Sequence, residues 1–375
     1  MNKYFDYAST TFMSDENIQL YGKLLDKYKY NSESLYPNGI NTDNALSRAR
    51  RMIAEQLNVN EKEIIFTSCG SEANNMAIKG VALARRNKGK HIISTVVEHS
   101  SVENSLRWLE KYLDYEVTLL EVDQNGIVDV DKLASVIRND TILVSVMMVN
   151  NESGAIMPIQ QIKNIVKKYP NCYLHVDCVQ ALGKINVDLS DIDLASFSAH
   201  KIYGPKGSGF LMKKQHVNIA ELISAGQQEF HLRGGTSNVA ANVLLAKLVC
   251  DATKNLDEKY RQVKVLHDYL YDKLADIDNV VLNRTKEGLP YIINFSCLKI
   301  GSQVMMNALS AKGFEVSAQS TCDSNAAVSK VIKAMYPRDL QRQKGTIRIS
   351  LSENHTIQDC EQLIEAIKEC VKQYG

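Results

Sequence analysis

Between Ile64 and Met212 short apolar runs alternate with stretches of helical periodicity, and that alternation leaves few architectures open to the chain. Residues 64–67, 91–97, 116–122, 141–149, 173–176, 195–197 and 209–212 read as strands, with helical patterns at 71–84, 102–112 and 159–168. The run TILVSVMMV at 141–149 is apolar enough to be covered on both faces, as a central parallel strand is. Strands separated by helices in this way predict a mostly parallel sheet with helices on both faces. From Asn238 the pattern changes. Residues 238–274 are almost wholly helical, then strands at 280–282, 291–295, 314–317 and 346–351 surround a helix at 302–312, and 357–372 closes the chain as a helix. The 375 residues exceed the roughly 250–300 at which one core stops growing, so two domains are expected. The expected division is an N-terminal segment, 1–13, packing with the small domain, a large domain at 14–255, and a smaller α+β C-terminal domain at 256–375.

Charge excludes some function classes. Lys and Arg number 44 against 43 Asp and Glu, so no long-range field attracts nucleic acid or an anionic membrane, and neither partner is expected. The opening MNKYFDYASTTF lacks an apolar core of the signal-peptide kind, and a cytoplasmic location is expected. Eight cysteines include no C-x-x-C pair. Cys172, His175 and Cys178 recur every third residue, but a strand puts His175 on the opposite face, so no structural metal is expected.

Four segments could carry chemistry. In Ser196–Pro205 (SFSAHKIYGP) Lys201 follows a strand and precedes a Gly-Pro turn, at the sheet edge where α/β sites open. An amine there suits a Schiff base with an aldehyde cofactor such as pyridoxal phosphate; the alternative is a surface lysine. Asp177 ends a buried strand, where a carboxylate can pair with a cationic ring nitrogen or simply cap the next helix. Gln180, three residues on, can bond a ring oxygen. The strand, small-residue turn and helix start at Phe66–Asn75 (FTSCGSEANN) form an anion site through Gly70 and Ser71, or a plain cap through Ser68 or Ser71. His99 falls on the same sheet edge, as a functional or a structural imidazole.

Taken in order, these segments resemble the cysteine desulfurases, of NifS/IscS type, in the pyridoxal-phosphate class-V aminotransferase family. The likeness runs through Tyr4–Thr11 (YFDYASTT), residues 66–75, Glu98–Ser101 (EHSS), Val149–Gly154 (VNNESG), His175–Gln180 (HVDCVQ) and Ser196–Pro205. It continues through Leu232–Thr236 (LRGGT), Ser317–Cys322 (SAQSTC) and Ile347–Ser350 (IRIS), and so covers essentially the whole chain. The resemblance implies an α/β fold of the type-I pyridoxal-phosphate transferase class and conversion of L-cysteine to L-alanine. Lys201 would hold pyridoxal 5'-phosphate and move the α-proton, Asp177 would pair with the ring nitrogen, and Gln180 would bond the phenolic oxygen. His99 would stack on the ring and assist proton transfer. Gly70, Ser71, Ser198 and His200 would hold the phosphate, with Thr236 reaching across from a second subunit of a homodimer. Asn151 and Arg348, with Asn31 nearby, would fix the substrate carboxylate.

Cys322 would take the sulfur as a persulfide and pass it to an acceptor protein, an iron–sulfur scaffold or a tRNA-thiolation enzyme. Ser329, seven positions later, implies the longer of the family's two cysteine loops. The chain departs from the pattern at Cys69, Cys178, Gln319, Ser32-Glu33 and Gln228–His231 (QEFH), where a Gln-Glu-Arg-Gly is usual. The alternatives are an aminotransferase or a selenocysteine lyase of the same fold, or a cofactor-bearing protein whose altered loop has lost turnover and which acts by binding partners.

Overall fold

A computed structural model describes residues 3–318 and 328–375. The described residues form ten strands, in chain order β1 Ile64–Thr67, β2 His91–Thr95, β3 Glu116–Leu120, β4 Thr141–Met147, β5 Tyr173–Asp177, β6 Leu194–Ser198, β7 Gly209–Lys213, β8 Val280–Leu282, β9 Ile292–Cys297 and β10 Thr346–Ser350. Seven of them form one sheet in the order β1-β7-β6-β5-β4-β2-β3. The β6-β5, β5-β4, β4-β2 and β2-β3 pairs are parallel, and β7 runs antiparallel to both β1 and β6. The mostly parallel sheet expected from the alternation is therefore present, with one reversed strand inserted near its edge.

Pleating explains how the sheet is covered twice. Successive side chains point to opposite faces, and Ile64 and Phe66 of β1 join one buried cluster while Ile65 joins the other. The same division separates Phe210 and Met212 from Leu211 in β7. All seven residues of β4 are buried, which is why that segment reads as continuously apolar.

The remaining strands form an antiparallel sheet, β10-β9-β8. The N-terminal residues extend along it: Ser350 N donates to Phe5 O, and Phe5 N donates to Glu315 O. Residues 314–317, read as a strand, contribute isolated bridges instead, Tyr4 to Glu315 and Ser317 to Arg348. The helical stretch after Asn238 is two helices, Val239–Thr253 and Leu256–Ala275. They are separated at Asn255, whose φ of 52° is left-handed and cannot continue a helix. Among the described residues no helix is long and apolar enough to cross a membrane.

Candidate active site

Because β7 is antiparallel to both β1 and β6, the C-terminal ends of β1, β2, β4, β5 and β6 share one edge of the large sheet. Beyond that edge lies a cavity of about 460 Å³. Gly70, Ser71, His99, Asn151, Asp177, Gln180, Ser198, His200, Lys201 and Arg348 all line it. Nine stand at or just after strands of the large sheet, whereas Arg348 arrives from the middle of β10. Asn31 and Thr236 do not line it. Asn31 is exposed and accepts a hydrogen bond from Glu33 N, and Thr236 is exposed. Cys322 lies outside the described residues, as does Gln319.

One end of the cavity is built for an anion. The helix Gly70–Arg85 starts there and presents the positive end of its dipole. A Cβ on Gly70 would stand 2.8 Å from Val179 Cγ2 and 3.2 Å from Ser198 Cβ, so only glycine lets this turn approach β6 so closely. The cap itself is Cys69, whose Sγ accepts from Glu72 N at 3.4 Å, rather than either serine. Burial, with Lys201, Lys206 and Lys184 adding cationic repulsion, pulls His200 down to about 3, so its ring is neutral. The positive potential that disfavours an imidazolium favours an anion.

Lys201 Nζ donates to the carbonyls of Ala8 and Ser9, both at 2.6 Å, which ties the N-terminal segment to the site. Asp177 Oδ1 accepts from Val179 N at 2.9 Å and Oδ2 from Asn74 Nδ2 at 2.8 Å, so the carboxylate is held at both oxygens. Gln180 Nε2 donates to Ala8 O at 2.8 Å, and its Oε1 accepts from Lys184 Nζ at 2.9 Å. Burial lowers Lys184 to about 8. His99 caps the helix Ser100–Leu113, its Nδ1 accepting from Ser101 N. Next to it Glu98 is buried and pushed up to about 8, mainly by desolvation and also by Asp177, so it is neutral at pH 7.

Arg348 is 1% exposed. Its Nη1 donates to Asn151 O at 2.8 Å, and its Nη2 to Asp6 Oδ1 and Ser9 Oγ, each at 2.7 Å. Its Nε is buried with no partner among the described residues. Burial raises the Cys178 thiol well above its ordinary value, which leaves it inert beside Asp177. Gln228–His231 holds three consecutive left-handed residues, Glu229, Phe230 and His231. Glu229 anchors them by a buried bidentate pair with Arg50, at 2.7 and 2.9 Å, and accepts from Phe66 N at 2.8 Å.

Sequence reasoning gave no role to Asn74, Ser101, Glu98, Asp6 or Lys184. The first four lie inside motifs quoted above, but each has a partner far away in the chain that leaves no periodic trace.

The sequence profile of the aminotransferase class-V family matches residues 3–363. A cysteine desulfurase IscS of Dictyoglomus turgidum is 39% identical over 97% of this chain and 95% of its own length. Among solved structures, a NifS-like protein superposes with a TM-score of 0.93 at 32% identity, covering 100% of both chains. A second, titled SspA in complex with cysteine, gives a TM-score of 0.81 at 28% identity over 95% of this chain and 100% of that one.

Proposed function

Because the chain belongs to the class-V aminotransferase family and has the type-I fold of its NifS-like neighbours, we propose that it is a cysteine desulfurase. It converts L-cysteine to L-alanine with pyridoxal 5'-phosphate and leaves the sulfur on Cys322. The observation that carries this reading is the convergence of the Lys201 amine, the Asp177 carboxylate, a helix N-terminus and the Arg348 guanidinium on one cavity.

The donor set fits that cofactor. The glycine-tight turn at Gly70 and Ser71, with Ser198 and His200, suits a phosphate, and the doubly held Asp177 suits a cationic ring nitrogen. When bound, the cofactor supplies an electron sink for charge leaving the substrate's α-carbon. Lys201 would hold it covalently, and its amine, freed when the substrate's amino group displaces it, would move the α-proton. Gln180, oriented by Lys184, addresses the ring oxygen, and His99 covers the ring. Arg348, oriented by Asp6 and Asn151 O, takes the substrate carboxylate.

The Cys322 thiolate attacks the substrate sulfur; a sulfur–sulfur bond forms as the carbon–sulfur bond breaks, and protonation of carbon gives alanine. Thr236, exposed on its own chain, serves the phosphate of a second copy, which makes the enzyme a homodimer. The persulfide passes to an acceptor protein of iron–sulfur assembly or tRNA thiolation. The test compares alanine and sulfide from L-cysteine, with a thiol reductant added to release the persulfide sulfur as sulfide, for the parent, Lys201→Ala and Cys322→Ala. The parent forms both, Lys201→Ala forms neither, and Cys322→Ala keeps its yellow cofactor but loses sulfur release. Full sulfur release by Cys322→Ala would overturn the proposal.

A further inference from the structure

Asp177, Asn74, Ser101 and His99 form a single hydrogen-bonded chain along the cavity wall, and its direction can be deduced. Asn74 Nδ2 lies 2.8 Å from Asp177 Oδ2 and 2.9 Å from Ser101 Oγ, and Ser101 Oγ lies 2.8 Å from His99 Nδ1. A carboxylate only accepts hydrogen bonds, so the Asn74 amide must turn its nitrogen, not its oxygen, towards Asp177. The orientation is kept although it leaves Asn74 Oδ1 buried with no partner among the described residues. Both amide protons are then committed, one to Asp177 and one to Ser101 Oγ. Ser101 Oγ accepts from Asn74, but a hydroxyl has two lone pairs, so this bond by itself permits it either to donate to His99 Nδ1 or to accept from it.

The backbone decides between them. The backbone N–H of Ser101 donates to His99 Nδ1 at 3.1 Å, and an amide nitrogen cannot accept in return. Two donors converge on Nδ1, which therefore holds a lone pair, and the neutral ring carries its proton on Nε2.

We infer that Asn74 and Ser101 are positioning residues that link Asp177 to His99 and, with the Ser101 N–H, hold His99 in the Nε2–H tautomer, so that His99 meets its ligand as an Nε2–H donor rather than as a base. The tautomer itself is a property of the bare protein. Its consequence, that proton abstraction falls to Lys201 alone while His99 supplies a hydrogen bond, rests on the function proposed above.

The test is long-range proton–nitrogen correlation NMR of protein labelled with 15N-histidine, with and without cofactor. The resonance of His99, one of eight histidines, is assigned by its loss in His99→Gln. The expected spectrum shows a proton on Nε2 and none on Nδ1. In Ser101→Ala and Asn74→Leu the Nδ1 resonance moves towards that of a nitrogen accepting fewer hydrogen bonds, and Ser101→Thr restores it. If Asn74→Leu does not fold, Ser101→Ala, a mild change in a helix, decides alone. A proton on Nδ1 in the parent, or an Nδ1 resonance unmoved by losing the Ser101 hydroxyl, would overturn the inference. Failure of the proposed function has a different signature: no alanine from loaded protein whose His99 tautomer is as expected.

Discussion

Replacing Glu98 with glutamine should remove about one proton's worth of pH dependence from the protein's stability. Glu98 is buried beside Asp177, and its folded value is about 8 against an ordinary 4.5. Near neutral pH the folded carboxyl keeps its proton and the unfolded one has lost it, so the unfolded state binds one proton fewer. Stability from a raised carboxyl is fully present below about 4.5 and is lost as pH rises towards about 8. Each pH unit inside that window costs ~1.4 kcal/mol, so moving from about pH 5.5 to about pH 7.5 should cost the parent about 2.5 kcal/mol through this residue. Glutamine keeps the acceptor for Thr95 Oγ1 and Met147 N, which Glu98 Oε1 now serves at 2.8 and 3.0 Å, and does not titrate. The assay is urea unfolding of both proteins at the two pH values, at equal concentration and in the same cofactor state. Opposing contributions from His175 and His200, whose folded values are lowered to about 4 and about 3, cancel on subtraction. Equal pH slopes for parent and variant would refute the reasoning.

Further predictions follow from the contacts around the site. Asp6→Ala removes the carboxylate that holds Arg348 Nη2; a charged hydrogen bond contributes about 1.5–3 kcal/mol, so KM for cysteine should rise by roughly 10- to 100-fold in steady-state assays, with kcat changing less. Glu229→Ala strands the buried Arg50 and releases three left-handed residues, and urea unfolding should show a loss of about 3–5 kcal/mol. Gly70→Ala drives a methyl group against Val179 and Ser198; equilibrium titration followed by cofactor absorbance should show weaker binding of pyridoxal phosphate, with little change in thermal stability of the cofactor-free protein.

The strands were legible because burial on both faces requires continuous apolar runs, as in β4, and because short turns end them. The helices Asp15–Lys27 and Pro37–Gln56 were not singled out, since each leaves much of its surface exposed and carries few buried apolar residues. The break at Asn255 depends on one left-handed residue flanked by ordinary helix formers. In the site, Lys201, Asp177 and His99 could be placed because a residue following a strand falls on the sheet edge. Asn74 and Ser101 could not be given partners, because the bond between them spans 27 positions and that from Asn74 to Asp177 spans 103. Arg348 was marked by its motif, while the reason it is held in place, Asp6 at the other end of the chain, exists only once the chain has folded.

The central claim is that sulfur leaves bound cysteine for one thiol. Incubating the purified protein with L-cysteine and mapping its peptides by mass spectrometry without reductant tests this directly. Alanine should appear in solution, with a gain of one sulfur on the peptide containing Cys322. Alanine formed with the added sulfur on another cysteine, Cys69 for example, or with no peptide carrying it, would contradict the account.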